Sequence, residues 1–340
     1  MKNGTSALLF AIPWQYYGMD ALDKNLLTEI QKRFPLESTP YASLGKRLGL
    51  SEEEVLARLK NLKEKGILRQ IGAIFNPQAL GFKTSLVAAA APKYNFKKAA
   101  EIINAYPGVS HNYLRDHFFN LWFTIAVPPG EDLKSVVASL MARAQVERYL
   151  LLPILKIFHI AVVYDFAEEN NSDEVTFSLP EEKFFTPDEK TISLVRLTQE
   201  DLPRVSRPFK ELGKKVGLSE EEVISWLKKG LETGMIRRFA GLVRHNRAGL
   251  RGNVMVAWQI PQEKLDQVGK FLAKEKKITH CYERKSYPDW PYNLYTMIHA
   301  RELDEAMSYV KSLASQIDAQ KYLPLITLKE LKKIRLKLFW

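Results

Sequence analysis

Residues 43–82 read SLGKRLGLSEEEVLARLKNLKEKGILRQIGAIFNPQALGF, and residues 211–250 read ELGKKVGLSEEEVISWLKKGLETGMIRRFAGLVRHNRAGL. The two align without gaps at an offset of 168 residues, with 16 of 40 positions identical. The likeness continues downstream. Residues 109–113 (VSHNY) match 278–282 (ITHCY), residues 120–122 (NLW) match 293–295 (NLY), and Tyr149 matches Tyr322. The offset grows from 169 to 173 on the way, which places four extra residues of the second copy within 284–291, RKSYPDWP. A period this long means a duplicated domain rather than a solenoid of short repeats.

Each copy opens with a helical part. Asp23 is the expected N-cap of a first helix whose Leu26, Leu27 and Ile30 share a face. A short helix over Tyr41–Arg47 ends at Gly49. Ser51 and Glu54 then form a capping box, the serine reaching forward and the glutamate back, and Val55, Leu59 and Leu62 make the buried stripe that follows. Ser219 and Glu222 repeat the box in the second copy. Three helices in this order predict a helix-turn-helix with a tight wing.

The rest of each copy alternates between strand and helix periods. Strands are predicted at Thr84–Ala91, Val109–Arg115, Asn120–Val127 and Leu150–Val163, with helices at Phe96–Tyr106 and Glu131–Gln145. The second copy follows with Val254–Ile260, Glu263–Lys274, Ile278–Arg284, Asn293–Ile298, Leu303–Ser315 and Tyr322–Lys329. That order, βαββαβ, is the ferredoxin-like plan. The fold class is therefore α+β, a tandem duplication of winged helix-turn-helix plus ferredoxin-like units. The expected divisions are a tail (1–20), helix-turn-helix domain 1 (21–81), ferredoxin-like domain 1 (82–165), an acidic linker (166–190), helix-turn-helix domain 2 (191–250) and ferredoxin-like domain 2 (251–340).

Composition narrows the function classes. Hydrophobic residues make up 46% and charged residues 26%, the balance of a globular chain. No apolar run approaches the ~18 residues of a membrane span, and the apolar stretch 7–14 contains Pro13 and lacks a small-residue cleavage site. One cysteine, Cys281, excludes an intramolecular disulfide framework and a cysteine-based metal site. These features point to the cytoplasm and to no membrane partner. The net charge of +11 suits a polyanion: nucleic acid, acidic lipid, or a small polycarboxylate or polyphosphate; no amphipathic basic helix stands out as a membrane anchor. Residues 52–54 and 220–222 weigh against DNA: three glutamates in a row occupy each recognition-helix start, where they would meet phosphates and base edges.

Longer strings carry a resemblance. GAIFNPQALGF (72–82), PGVSHNYLRDHFFNLWFT (107–124), RRFAGLVRHNRAGLRGN (237–253), THCYERKSYPDWPYNLYTMIHA (279–300) and LKELKKIR (328–335) resemble the siroheme decarboxylases, in the form that fuses two related subunits. The order of parts resembles the Lrp/AsnC architecture, whose sheets pair. The resemblance implies loss of carbon dioxide from the acetate side chains at C12 and C18 of siroheme. The product is 12,18-didecarboxysiroheme, an intermediate towards heme or heme d. It also implies no separate cofactor, since the macrocycle is its own electron sink and the iron belongs to the substrate, and it implies no resident metal. The ligands are then siroheme and its mono- and didecarboxylated products. The halves would pair as an internal pseudo-heterodimer, with a further homodimer left open. The alternatives are a tetrapyrrole-sensing regulator and a carrier without turnover.

Two histidines stand out because each lacks a counterpart in the other copy: His117 aligns near Trp290, and His245 aligns with Pro77. With the resemblance, these become the expected proton-transfer residues, in one competent site whose pseudo-symmetric mate would hold Trp290 and Pro77. Histidine titrates near neutral pH and can give a proton to the carbon that carbon dioxide leaves. His111 and His280 are duplicated and suit a structural role equally well, while His159 and His299 lie in apolar strand-like runs. Arg115, Arg238, Arg244, Arg247 and Arg284 are the expected carboxylate partners, and Tyr113, Tyr282 and Trp122 the expected walls of a ring pocket.

Overall fold

The computed structural model describes residues 18–160, 187–243, 252–300, 302–319 and 321–340. Arg244, His245 and Arg247 lie outside the described residues, as do most of the expected linker and tail.

The first helical unit contains α1 (Ala21–Lys32), α2 (Pro40–Leu48) and α3 (Glu52–Glu64). The N-cap of α1 is Asp20, not Asp23: the Asp20 carboxylate accepts the Asp23 backbone N–H at 2.7 Å. Asp23 is buried one turn inside the helix and takes a 2.8 Å ion pair from Arg58 on α3. The capping box at Ser51 is complete, and Gly49 ends α2 at a left-handed φ of 70° that a side chain would disfavour. The second unit repeats the plan with α6 (Glu189–Thr198), α7 (Pro208–Val216) and α8 (Glu220–Glu232). Helix α6 therefore starts inside the expected linker, capped by Asp188.

The wings differ from the tight wing expected of each unit. β1 (Leu68–Phe75) of the first unit pairs antiparallel with β7 (Ile236–Val243) of the second, and the two strands form their own sheet. A lone strand leaves one row of backbone donors and acceptors unpaired, and each copy supplies the edge that the other needs. The loop after α6 completes the clasp. Asp201 accepts the Ile71 N–H at 2.9 Å, and Leu202 donates to the Ile71 carbonyl. The chain passes so close that a Cβ on Gly72 would lie 2.6 Å from the Glu200 carbonyl oxygen. Both helical units share one apolar core, running from Leu26 and Leu59 to Leu194 and Phe239.

The sheet parts are β2 (Lys83–Ala89), α4 (Phe96–Ala105), β3 (Val109–Arg115), β4 (Leu121–Val127), α5 (Leu133–Arg143), β5 (Tyr149–Leu152) and β6 (Ile154–Ile160), then β8 (Gly252–Gln259), α9 (Leu265–Ala273), β9 (Ile278–Arg284), β10 (Leu294–Ala300), α10 (Leu303–Gln316) and β11 (Lys321–Lys333). The last strand of each copy crosses to the other. β5 pairs with β2 of its own unit and β6 with β9 of the second, while β11 pairs first with β8 and then with β3 of the first. The expected single strand 150–163 is thus two strands, parted at Pro153, which has no N–H for the ladder. The order β5-β2-β4-β3-β11-β8-β10-β9-β6 begins and ends on this crossing segment, with β5 at one end of the sheet and β6 at the other. Helices α4 and α5, and α9 and α10, cover the outer faces over two apolar clusters. A third cluster lies between the facing sheets and includes Trp122, Leu152, Trp290, Tyr295 and Leu325. Among the described residues no helix is long and apolar enough to cross a membrane.

Candidate active site

The β3–β4 and β9–β10 hairpins meet over the inter-sheet core. Their bases are built alike. Arg115 N–H donates to Asn120 O and Arg284 N–H to Asn293 O. The Asn120 amide exchanges two hydrogen bonds with the Ala91 backbone, at 2.9 and 2.8 Å, and Asn293 does the same with Ile260, at 3.0 and 2.8 Å. The tips differ. Residues 116–120 carry His117 and Phe119, whereas 285–293 is four residues longer and carries Tyr287, Trp290 and Tyr292.

His117 packs edge-on against Trp290, with ring centroids 5.6 Å apart, and beside Phe119. Its Nδ1 accepts the Phe119 N–H at 3.1 Å, so the neutral ring carries its proton on Nε2. Partial burial lowers its pKa from the ordinary histidine value. Trp290 is buried and donates its indole N–H to the Tyr295 hydroxyl at 2.7 Å. The Tyr287 hydroxyl donates to Leu151 O of the crossing segment at 2.6 Å. Pseudo-symmetry predicts separate places for His117 and Trp290; the rings instead touch, because both tips lie where the two units meet.

Arg115 and Arg284 are buried at the hairpin bases. Each donates from Nη1 to a carbonyl of the opposite crossing strand at 2.7 Å, Arg115 to Leu325 and Arg284 to Leu152. Each lies over a tyrosine, Tyr113 at 5.5 Å and Tyr282 at 5.2 Å, and neither Nε has a partner. Burial without a carboxylate pulls both down to about 10, which leaves them charged at neutral pH. Tyr113 is held up at about 12 by burial. Trp122 is fully buried between the sheets, with its N–H on Phe119 O at 2.7 Å. Arg238 is not brought to this seam: it lies on β7 against α1, within 3.5 Å of Gln31 O, and burial lowers it to about 10. Its neighbour Arg237 is the one whose charge reaches Tyr282, since successive strand residues face opposite ways.

The outer ends of the sheets hold the duplicated histidines. Ser110 Oγ lies 2.9 Å from His111 Nδ1 and 3.0 Å from Thr124 Oγ1. Burial, with Lys333 and Arg69 near, lowers His111 to about 4. Thr279 Oγ1 likewise lies 2.9 Å from His280 Nδ1, and His299 Nε2 joins it at 3.0 Å. The apolar run around His299 gives no hint of this link. Its one signal is strand alternation, which puts Tyr295, Met297 and His299 on one face of β10.

The acidic starts of α3 and α8 are engaged within the protein. Glu54 and Glu222 close the capping boxes, Ser206 donates to Glu52 at 3.0 Å, and Arg207 pairs with the buried Glu220.

These features define a class: a tandem protein of helix-turn-helix and AsnC-like ligand-binding domains, with its histidine-bearing seam between the copies. The family model of the AsnC-like ligand binding domain matches residues 79–159 and 247–332. That of the siroheme decarboxylase NirDL-like HTH domain matches residues 23–69 and 192–237. The chain belongs to the siroheme decarboxylase family. It is 35% identical to the siroheme decarboxylase of Hydrogenobacter thermophilus, across 92% of this chain and 94% of that one. The crystal structure of the siroheme decarboxylase NirDL matches with a TM-score of 0.79 at 32% identity, over 94% of this chain and 95% of that one. A co-complex of NirDL with an iron-uroporphyrin III analogue matches with a TM-score of 0.77 at 31% identity, over 94% of each chain.

Proposed function

We propose that the chain decarboxylates siroheme, removing the C12 and C18 acetate carboxylates by way of a monodecarboxylated intermediate to give 12,18-didecarboxysiroheme. In each step the bond between the methylene and carboxylate carbons breaks and carbon dioxide leaves. The electron pair passes into the macrocycle, and the methylene carbon takes a proton to become methyl. The observation that carries this reading is the placement of His117. A tautomer-fixed imidazole stands at the seam of the two copies, with buried, carboxylate-free Arg115 and Arg284 at the bases of the same hairpins. Protonated to the imidazolium, His117 can give its Nε2 proton to that carbon and return to the neutral ring, and His245 is its expected partner in proton transfer. Siroheme brings its own iron and its own electron sink, so no further cofactor enters the scheme. A buried lone thiol, Cys281, suits a cytoplasmic enzyme.

The test is anaerobic incubation with siroheme followed by mass spectrometry of the extracted pigment. The expected result is loss of two carbon dioxide units, slowed by about 10²–10⁴-fold in His117→Ala and in His245→Ala, the usual worth of a positioned acid or base. Loss at the normal rate in both variants would remove these residues from the mechanism. Bound siroheme of unchanged mass would replace the enzyme with a carrier or sensor.

A further inference from the structure

Against the first unit's sheet lies a cavity of about 100 Å³, lined among others by Thr84, Ser110, Thr124, Ile154 and Leu336 and reached from the second unit by Arg284. No aspartate or glutamate lines it. We infer that this cavity is a binding pocket for a single carboxylate group, held by the Arg284 guanidinium and the threonine and serine hydroxyls. The inference deepens the siroheme reading and rests on it for the body to which that carboxylate belongs.

The argument starts from the guanidinium. Arg284 is buried and spends Nη1 on Leu152 O, while Nε has no partner. Nε and Nη2 form the side of the fork that docks a carboxylate through two parallel hydrogen bonds. A buried cation with that side open and no acid near it is costly unless an anion arrives. The pseudo-symmetric Arg115 makes the contrast. Its Nε is likewise without a partner, but its Nη1 also donates to Thr327 Oγ1 at 3.0 Å, and the residue at the matching place in the first crossing strand is Ile154, which offers no such partner.

Size and charge then choose the ligand. At about 100 Å³ the pocket has room for a CH₂–COO⁻ arm. One guanidinium neutralises one carboxylate, whereas a phosphate dianion would leave a charge buried and unmatched. The hydroxyls can be oriented to suit. With a proton on His111 Nδ1, the chain His111–Ser110–Thr124 runs as donor to acceptor and leaves the Thr124 hydroxyl proton for an acceptor in the cavity. Thr84 supplies another hydroxyl.

The carboxylate can come from a side chain of the tetrapyrrole or from a free small acid, and one experiment separates the sources. Siroheme affinity is read by absorbance titration for the full-length wild type, for Arg284→Lys and for the double variant Thr84→Val with Thr124→Val. Melting temperature is read with and without formate. A side-chain source predicts affinity weakened about 10-fold or more in Arg284→Lys, and several-fold in the double variant, which keeps the shape should the lysine variant fail to fold. A free acid predicts unchanged siroheme affinity and a formate-dependent rise in melting temperature that both variants lose. Folded variants that bind siroheme as the wild type does, with no formate effect in any protein, overturn the pocket. Because binding is read without turnover, weakened binding in a protein that leaves the siroheme mass unchanged would sink the decarboxylase reading and keep the pocket.

Discussion

The two hairpins that meet over the inter-sheet core are one design in its base and two in its tips. Arg115 with Asn120 and Arg284 with Asn293 repeat each other bond for bond. Beyond them, the first tip offers an imidazole and the second offers Tyr287, Trp290 and Tyr292. Duplication kept the frame because the frame holds the crossing strands, and any change there disturbs both units at once. The tips carry no such duty, so they were free to diverge. Divergence put a titratable group on one side of the seam and a rigid aromatic wall on the other. A symmetric dimer of one unit would present the same tip twice and could not do this.

The largest expected effect comes from removing the wall. Trp290→Ala opens a void in the inter-sheet core and removes the indole N–H donor from the Tyr295 hydroxyl, with an expected loss of about 3–5 kcal/mol in stability. It also uncovers His117, whose pKa should return towards the ordinary histidine value because burial is what lowers it. Denaturant unfolding and a histidine NMR titration read the two effects. A loss below about 1 kcal/mol together with an unmoved His117 would mean that the tips do not act as one site.

Most of the frame is legible in the amino-acid pattern itself. The copies, their helices and the βαββαβ order follow from periodicity and from the alignment of 43–82 with 211–250. The exchange between copies does not. A strand pattern states that a segment needs a neighbour but not whose, so periodicity gives β1 a wing of its own when its partner is β7, 161 residues or more away at Phe75 and Ile236. Pro153 is the one local sign that the last strand changes partners. At the site, His117 and Trp290 stand out by their failure to align, which says where copies differ but not that the differing places touch. Arg237 and Arg238 stand side by side in one string, and only the facing of β7 separates the one whose charge reaches Tyr282 from the one that lies against α1.

The outer ends of the two sheets allow a second comparison, one that pH can read. His111 sits at about 4 against an ordinary value of 6.5, through burial first and then Lys333 and Arg69. Between these values the unfolded chain holds a proton that the native chain does not. Stability therefore rises with pH across the window from about 4 to 6.5 and is lost again as pH falls through it. The full shift corresponds to about 3 kcal/mol at most. His111→Gln should flatten that part of the stability–pH curve while leaving the neutral value within about 1–2 kcal/mol. A curve of unchanged slope would move the acid sensitivity elsewhere, with the His280–Thr279–His299 chain of the other end as the next group to substitute.

The smallest effect is also the most direct check on the equivalence of the hairpin bases. Asn120→Ala and Asn293→Ala each delete two amide hydrogen bonds to a neighbouring backbone, at Ala91 and at Ile260. At about 1 kcal/mol per bond, each should cost about 2 kcal/mol. The two losses should agree within about 0.5 kcal/mol, and the double variant should lose their sum, because the sites share no partner. Unequal losses would show that the frame has specialised along with the tips. A double variant that loses more than the sum would show instead that the two clamps support each other through the crossing strands. In that case the strands, rather than the hairpins, are what selection held fixed between the copies.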